Sequence, residues 1–332
     1  MTAAAAVAAV LFVGVLAYAL FAGADFGSGI WDLAAGGDEA GAPLRHLIDR
    51  SIGPVWEANH VWLIFVLVFL WTGFPTGFAS IMETLFVPFC LAGVGIVMRG
   101  AAFAFRKTSP TLALARFHGI MFATSSLLTP FVFGTIAGAI ASGRVPAEGR
   151  GDAWTSWTGP TSLVGGVLAV LTCSFLAAVF LAAEADRAPG HPLTERCRRQ
   201  ALLAAGLTGV AALVGVAPLH ADAPTLFDGL TGRALPLVVV SVVGGLATIW
   251  FLWQSRFALA RVTAVVAVAS VVLGWGVAQW PWLLVDELKI EDAGGARATL
   301  VALLATFVIA AVLVLPSLGY LYVLTQRERL SA

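Results

Sequence analysis

Three residues at the start of one apolar run could move protons. In "GPVWEANHVWLIF" (residues 53–65) a carboxylate, an amide and an imidazole, Glu57, Asn59 and His60, stand between Trp56 and Trp62. Glu57 and His60 are three apart and share a helix face. A second apolar stretch, "FAGADFGSGIWDL" (21–33), carries Asp25 and Asp32, seven apart and again on one face. Ionisable groups within a membrane span are rare, face the bundle interior and mark a pathway or a site. Desolvation and a like-charged neighbour bring a carboxyl's proton affinity towards neutral pH, where it can take up and release protons. Asp25, Glu57, Asn59 and His60 therefore form a candidate proton relay, with the two acids expected to meet at similar depth. The same residues could instead be a hydrogen-bond network that only locks helices together.

Other chemistry fits less well. Glu57-x-x-His60 has the spacing of a di-iron bundle ligand pair, but such a site needs a second copy and two further glutamates. No second copy occurs, and no metal site is expected. One histidine on one helix is weak ground for a haem ligand. Cys90, Cys173 and Cys197 are scattered, without CxxC or CxxCH, and read as small core residues. No P-loop, GxSxG elbow or dinucleotide fingerprint is present. Glu83, in "IMETLFVPF", could line a cavity or snorkel to the interface. In "VMRGAAFAFRKTSP", Arg106 reads as an interfacial anchor; Asp32, on the first helix, reads separately as an interfacial residue. Arg99 lies deeper and could pair with a carboxylate or hold the polar head group of a quinone or lipid.

The elements that must position these groups are membrane helices. Of 332 residues, 59% are hydrophobic and only 11% charged, against about 25% charged in soluble domains. Net charge is zero and no basic patch is interleaved with aromatics, so nucleic acid is not an expected partner. The N-terminal run lacks a basic n-region and is too long for a signal h-region, so it reads as an uncleaved first span. Apolar runs of about 20 residues predict nine spans at 4–34, 52–74, 79–104, 116–140, 161–184, 200–219, 235–253, 259–280 and 299–324. The short "PTGF" connection (75–78) predicts a hairpin between the second and third. No connection is long enough for a soluble domain. Nine alternating spans place 14 of the 19 Lys and Arg on one side. By the positive-inside rule that side is the cytoplasm, with the N-terminus outside and the C-terminus inside.

Three segments carry a resemblance. "GPVWEANHVWLI" (53–64) resembles the helix-two signature PVWDGNxVWL of the cytochrome bd quinol oxidase subunit II family. "GADFGSGIWDL" (23–33) is similar to that family's helix-one GFDFGVGML segment, and "MRGAAFAFRKT" (98–108) to its helix-three exit, in the same order and spacing. The resemblance implies an all-α membrane fold of two four-helix bundles plus one peripheral helix. It implies pairing with subunit I in a bacterial or archaeal cell membrane, in a complex that oxidises quinol and reduces O2 to water. Haems b and d, or b only, and the quinol site would belong to subunit I; this chain would bind no haem but could lodge a structural quinone. The helix-one and helix-two acids, here Asp25 and Glu57, would serve a proton route from the cytoplasm. This chain departs from the pattern in having Glu57 for the usual Asp, Ala58 for Gly and His60 after the Asn. A frequent second helix-one acid is here Ala22, and His60 could stand in for it. The alternative from another class is a proton-coupled secondary transporter, which should show internal repeats and broken midplane helices.

Overall fold

In a bilayer no water satisfies backbone N–H and C=O groups, so an apolar segment closes its own hydrogen bonds as a helix. The computed structural model follows that rule. It describes residues 2–52, 56–106, 108–187 and 193–331; residues 53–55 of the acid-bearing motif and Lys107 lie outside them. Among the described residues eight helices are each long and apolar enough to cross: α1 (Ala3–Leu33), α5 (Phe86–Arg106), α6 (Leu112–Ala141), α7 (Pro160–Ala185), α8 (Leu193–Asp222), α10 (Leu235–Trp253), α11 (Phe257–Gln279) and α13 (Arg297–Ser331). A ninth candidate is α3 (Trp56–Gly73) taken with α4 (Pro75–Thr84). The remaining elements are α2 (Asp38–Ile52), α9 (Pro224–Thr231), the short ribbon β1 (Trp282–Leu284) and β2 (Leu288–Lys289), and α12 (Ile290–Ala293). The protein is an all-α, multi-pass membrane protein.

The expected hairpin at 75–78 and the helix at 79–104 need correction. Pro75 has no N–H to continue α3 and pushes Phe74 out of the helical region, to φ −135°, ψ 62°. The chain bends by 119° into α4, and breaks again at Leu85 before the real span, α5. α4 is held down by the loop between α6 and α7: Ser80 donates to the Ala147 carbonyl and Thr84 accepts from the Gly151 N–H. α2 and α9 fall in segments expected to be connections. α2 carries Leu44 and Ile48, both fully buried, on one face and charges on the other, the pattern of a helix lying along the bundle's end.

Connections sort into two sets by their contacts. At the arginine-rich end Arg196 donates to the carbonyls of Ala34 and Ala35, and Arg198 to that of Trp253. At the other end Arg144 pairs with Asp222, Thr225 bonds Asp286, and the Gly295 N–H reaches the Gly73 carbonyl. This is the division that the charge count drew. α7 is central, packing on α1, α6, α8 and α11, while α13 packs mainly on α1 and α3 at the periphery. α1 and α7 approach closely because Gly27 has no side chain: a Cβ there would overlap the Cys173 carbonyl. The largest buried cluster gathers Trp31, Phe103, Phe122, Phe175, Leu181 and Phe257 at the arginine-rich end, around the charged groups described next.

Candidate functional site

The stretch 22–32 of α1 is almost wholly buried, and its aspartates face α5 and α6. Asp25 is 4% exposed and Arg99, on α5, 1%. They form a two-pronged ion pair: Arg99 Nη2 donates to Asp25 Oδ1 at 2.8 Å and Nη1 to Oδ2 at 3.1 Å. Nη2 also reaches the Asp25 carbonyl at 3.1 Å, and Nε donates to Ser126 Oγ of α6 at 2.9 Å. The guanidinium lies 5.0 Å from the Phe26 ring and 4.8 Å from the Phe122 ring, within cation–π reach of both. These bonds occupy four of its five N–H groups. Of the two roles expected for Arg99, this is the pairing with a carboxylate; a quinone or lipid head group here would have to displace it.

A second ionic cluster sits one turn and more towards the arginine-rich end. Asp32, expected at the interface, is buried; it accepts from Arg45 Nε at 3.1 Å and from Arg106. Arg106 also reaches Asp49 of α2 at 3.3 Å and stands 5.9 Å from the centre of the Phe122 ring. One phenyl ring is thus close to two arginines, each held by an aspartate of α1. α2 supplies Arg45 and Asp49, which explains why this amphipathic helix belongs to the site.

The α3 residues are placed differently. Asn59 is buried, and its Nδ2 donates to the Phe21 carbonyl of α1 at 3.4 Å. His60 packs on α1, its ring 6.1 Å from that of Tyr18 and 5.9 Å from that of Phe26. Glu57 does not face Asp25. It lies exposed in the first turn of α3, at the head of a stripe formed by Val61 (57% exposed), Ile64 (60%), Val68 and Trp71 (65%). The sequence sets depth along a helix but not which neighbour each face meets. α1 turns its acids to α5 and α6, while α3 shows Glu57 outward. Glu83 is exposed beside Gly149.

Sequence reasoning missed Ser126, Phe122 and Tyr18. Ser126 had a signal in the polar run "TSSLLTP" within apolar α6, and Tyr18 in being one of only three tyrosines; Phe122 had none. Among the described residues no group of three or more His, Cys, Asp or Glu is placed to hold a metal ion. Asp25 and Asp32 are instead paired with arginines.

Known proteins are similar to this chain in sequence and in fold. The structure of bd oxidase from Geobacillus thermodenitrificans matches with a TM-score of 0.81 at 26% identity, covering 98% of each chain. A cytochrome bd ubiquinol oxidase subunit 2 of Bacillus subtilis (strain 168) is 30% identical over 237 residues, 71% of this chain and 67% of the relative. A putative cytochrome bd menaquinol oxidase subunit II of the same organism is 21% identical over 331 residues, 95% of this chain and 93% of the relative. The family model described as cytochrome bd terminal oxidase subunit II matches residues 3–325, nearly the whole chain, and the chain belongs to that family.

Proposed function

We propose that this chain docks on subunit I through the exposed stripe of α3 and delivers protons from the cytoplasm to that partner's O2-reducing haem. The carrying observation is Glu57, a carboxylate on an apolar helix face that none of the described residues covers. A carboxylate turned to lipid costs several kcal/mol, whereas one turned to a partner subunit can meet a hydrogen-bonding group. The family makes the chain part of a quinol oxidase; haems b and d (or b only) and the quinol site are assigned to the partner, with quinol and O2 as the substrates of the complex. Electron transfer and O2 chemistry are the partner's, and this chain holds and moves protons. It lies in the cell membrane with its N-terminus outside and the arginine-rich end, where Glu57 stands, in the cytoplasm.

Within this reading the four candidate relay residues divide. Glu57 takes up the proton, His60 stands three residues deeper on the same helix, and Asn59 fixes α3 to α1. Asp25 is assigned to a fixed countercharge, because both its oxygens already hold Arg99. The test is Glu57→Gln in the assembled complex. Loss of a positioned proton-transfer group costs about 10²–10⁴ in rate. O2 consumption at the wild-type rate would leave Glu57 without this role. The transporter alternative has no observation in its favour.

A further inference from the structure

Tyr18 lies near the middle of α1, seven residues and about 10 Å of helix rise beyond Asp25 towards the membrane centre. Its ring stands edge-on to those of Phe26 (6.5 Å) and Phe133 (5.8 Å) and 6.1 Å from His60. Its hydroxyl is closed off from the surface and has no hydrogen-bond partner among the described residues. That is an unusual position for a phenol, since buried tyrosine hydroxyls find a partner and an orphaned one is costly. Packing alone does not ask for it. The chain uses 21 phenylalanines and three tyrosines, the other two being Tyr320 and Tyr322 in the last helix, and a phenyl ring would fill the same space. The charged groups acting on the hydroxyl are Asp25 of α1 and Arg99 of α5; the Cys173 thiol of α7 is near, and His60 faces it from α3.

We propose that the Tyr18 hydroxyl is the next relay group inward of His60, joined to it by one internal water. This inference rests on the proton-delivery reading and extends its route from the rim to mid-membrane. A polar pocket holds a water when two or more groups can bond it, and the phenol and the imidazole supply two. The transfer leaves no net charge on Tyr18. The bridging water, protonated by His60, gives a proton to the phenol oxygen as the hydroxyl proton passes to the next acceptor inward. The group then rotates back to its starting state.

The experiment uses the assembled two-subunit complex, with its haem spectrum as the assembly control. Tyr18→Phe should lower O2 consumption ten-fold or more at unchanged haem content, and raise the solvent deuterium isotope effect. Replacing Tyr18 by 3,5-difluorotyrosine keeps the ring and acidifies the phenol; it should displace the alkaline limb of the pH–rate profile to lower pH, which a merely packed phenol would not do. This second variant decides the matter if Tyr18→Phe fails to assemble. Glu57→Gln is measured alongside. A slow Glu57→Gln with Tyr18→Phe within about twofold of wild type, or an unmoved profile, overturns the role of Tyr18 alone. Wild-type rates in both variants overturn the relay as a whole.

Discussion

The buried Asp25–Arg99 pair can be tested by a double-mutant cycle that separates its structural role from a relay role. Asp25→Asn removes two charge-assisted bonds and leaves a guanidinium in a dry site. What remains for Arg99 is the Asp25 carbonyl, Ser126 Oγ and two aromatic faces. Arg99→Met leaves the carboxylate without its partner. Breaking a buried pair from either side costs about 3–5 kcal/mol, because an uncompensated charge stays behind, while replacing both members with neutral groups is often neutral or better. Each single variant should therefore denature at markedly lower temperature. Asp25→Asn combined with Arg99→Met should recover most of the loss, with a coupling of about 3 kcal/mol or more, well above the 0.3–0.5 kcal/mol expected for independent sites. The assay is thermal denaturation of the purified complex followed by haem absorbance and subunit co-elution. Oxygen consumption is measured on the same samples. As a fixed countercharge, Asp25 is dispensable once Arg99 is neutral, so the double variant should turn over near the wild-type rate. Additive destabilisation would refute the pair as a unit. A stable double variant that turns over as slowly as Glu57→Gln would make Asp25 a proton carrier.

Further outcomes follow from the same geometry. Phe122→Leu removes both arginine–ring contacts, each worth about 0.5–2 kcal/mol, and should lower the denaturation temperature of the complex while leaving the haem spectrum unchanged. Gly27→Leu places a side chain where the Cys173 carbonyl lies; the complex should fail to assemble, seen as loss of subunit co-elution. A cysteine at Ile64 should cross-link to subunit I, whereas one at Leu213, on the exposed face of α8, should not. Asp152 accepts from the backbone N–H groups of Thr155 (2.7 Å) and Trp154 (2.9 Å), and these bonds hold its carboxyl below the usual range. The stability they give is fully present above the ordinary carboxylate value, about pH 3.9, and is lost as pH falls through the lower folded value. Protection of the Trp154 and Thr155 amides, measured against their intrinsic exchange rates at each pH, should thus fall on acidification below pH ~4 in the wild type, and be absent already at neutral pH in Asp152→Ala.

Much of the fold was legible because hydropathy decides what can cross a bilayer. The run at 235–253 is α10 to the residue, and 4–34 misses α1 by one at each end. The break at Leu85 was not legible, since apolar residues continue on both sides and the bend is fixed by Ala147 and Gly151 from a distant loop. α2 was hidden for the opposite reason: its 15 residues are too polar to span and declare themselves only through the buried face of Leu44 and Ile48. At the site, burial of Asp25 and Asn59 could be read from their apolar surroundings. Partnership could not. Asp25 and Arg99 are 74 residues apart, and only the packing of α1 on α6, with α5 alongside, brings them together. Glu57 and Asp25 were expected to meet, yet Glu57 is exposed on α3 while Asp25 is buried against Arg99.

The central claim is that protons enter from the arginine-rich side at Glu57. Its most direct test is proton uptake by the reconstituted complex in vesicles, with a pH dye confined to the compartment facing that side, during reaction of the fully reduced complex with O2. The account predicts that Glu57→Gln, at full haem content, slows uptake from that compartment by about 100-fold, the lower end expected for a lost proton-transfer group. Uptake at the wild-type rate, or from the opposite compartment, would contradict it.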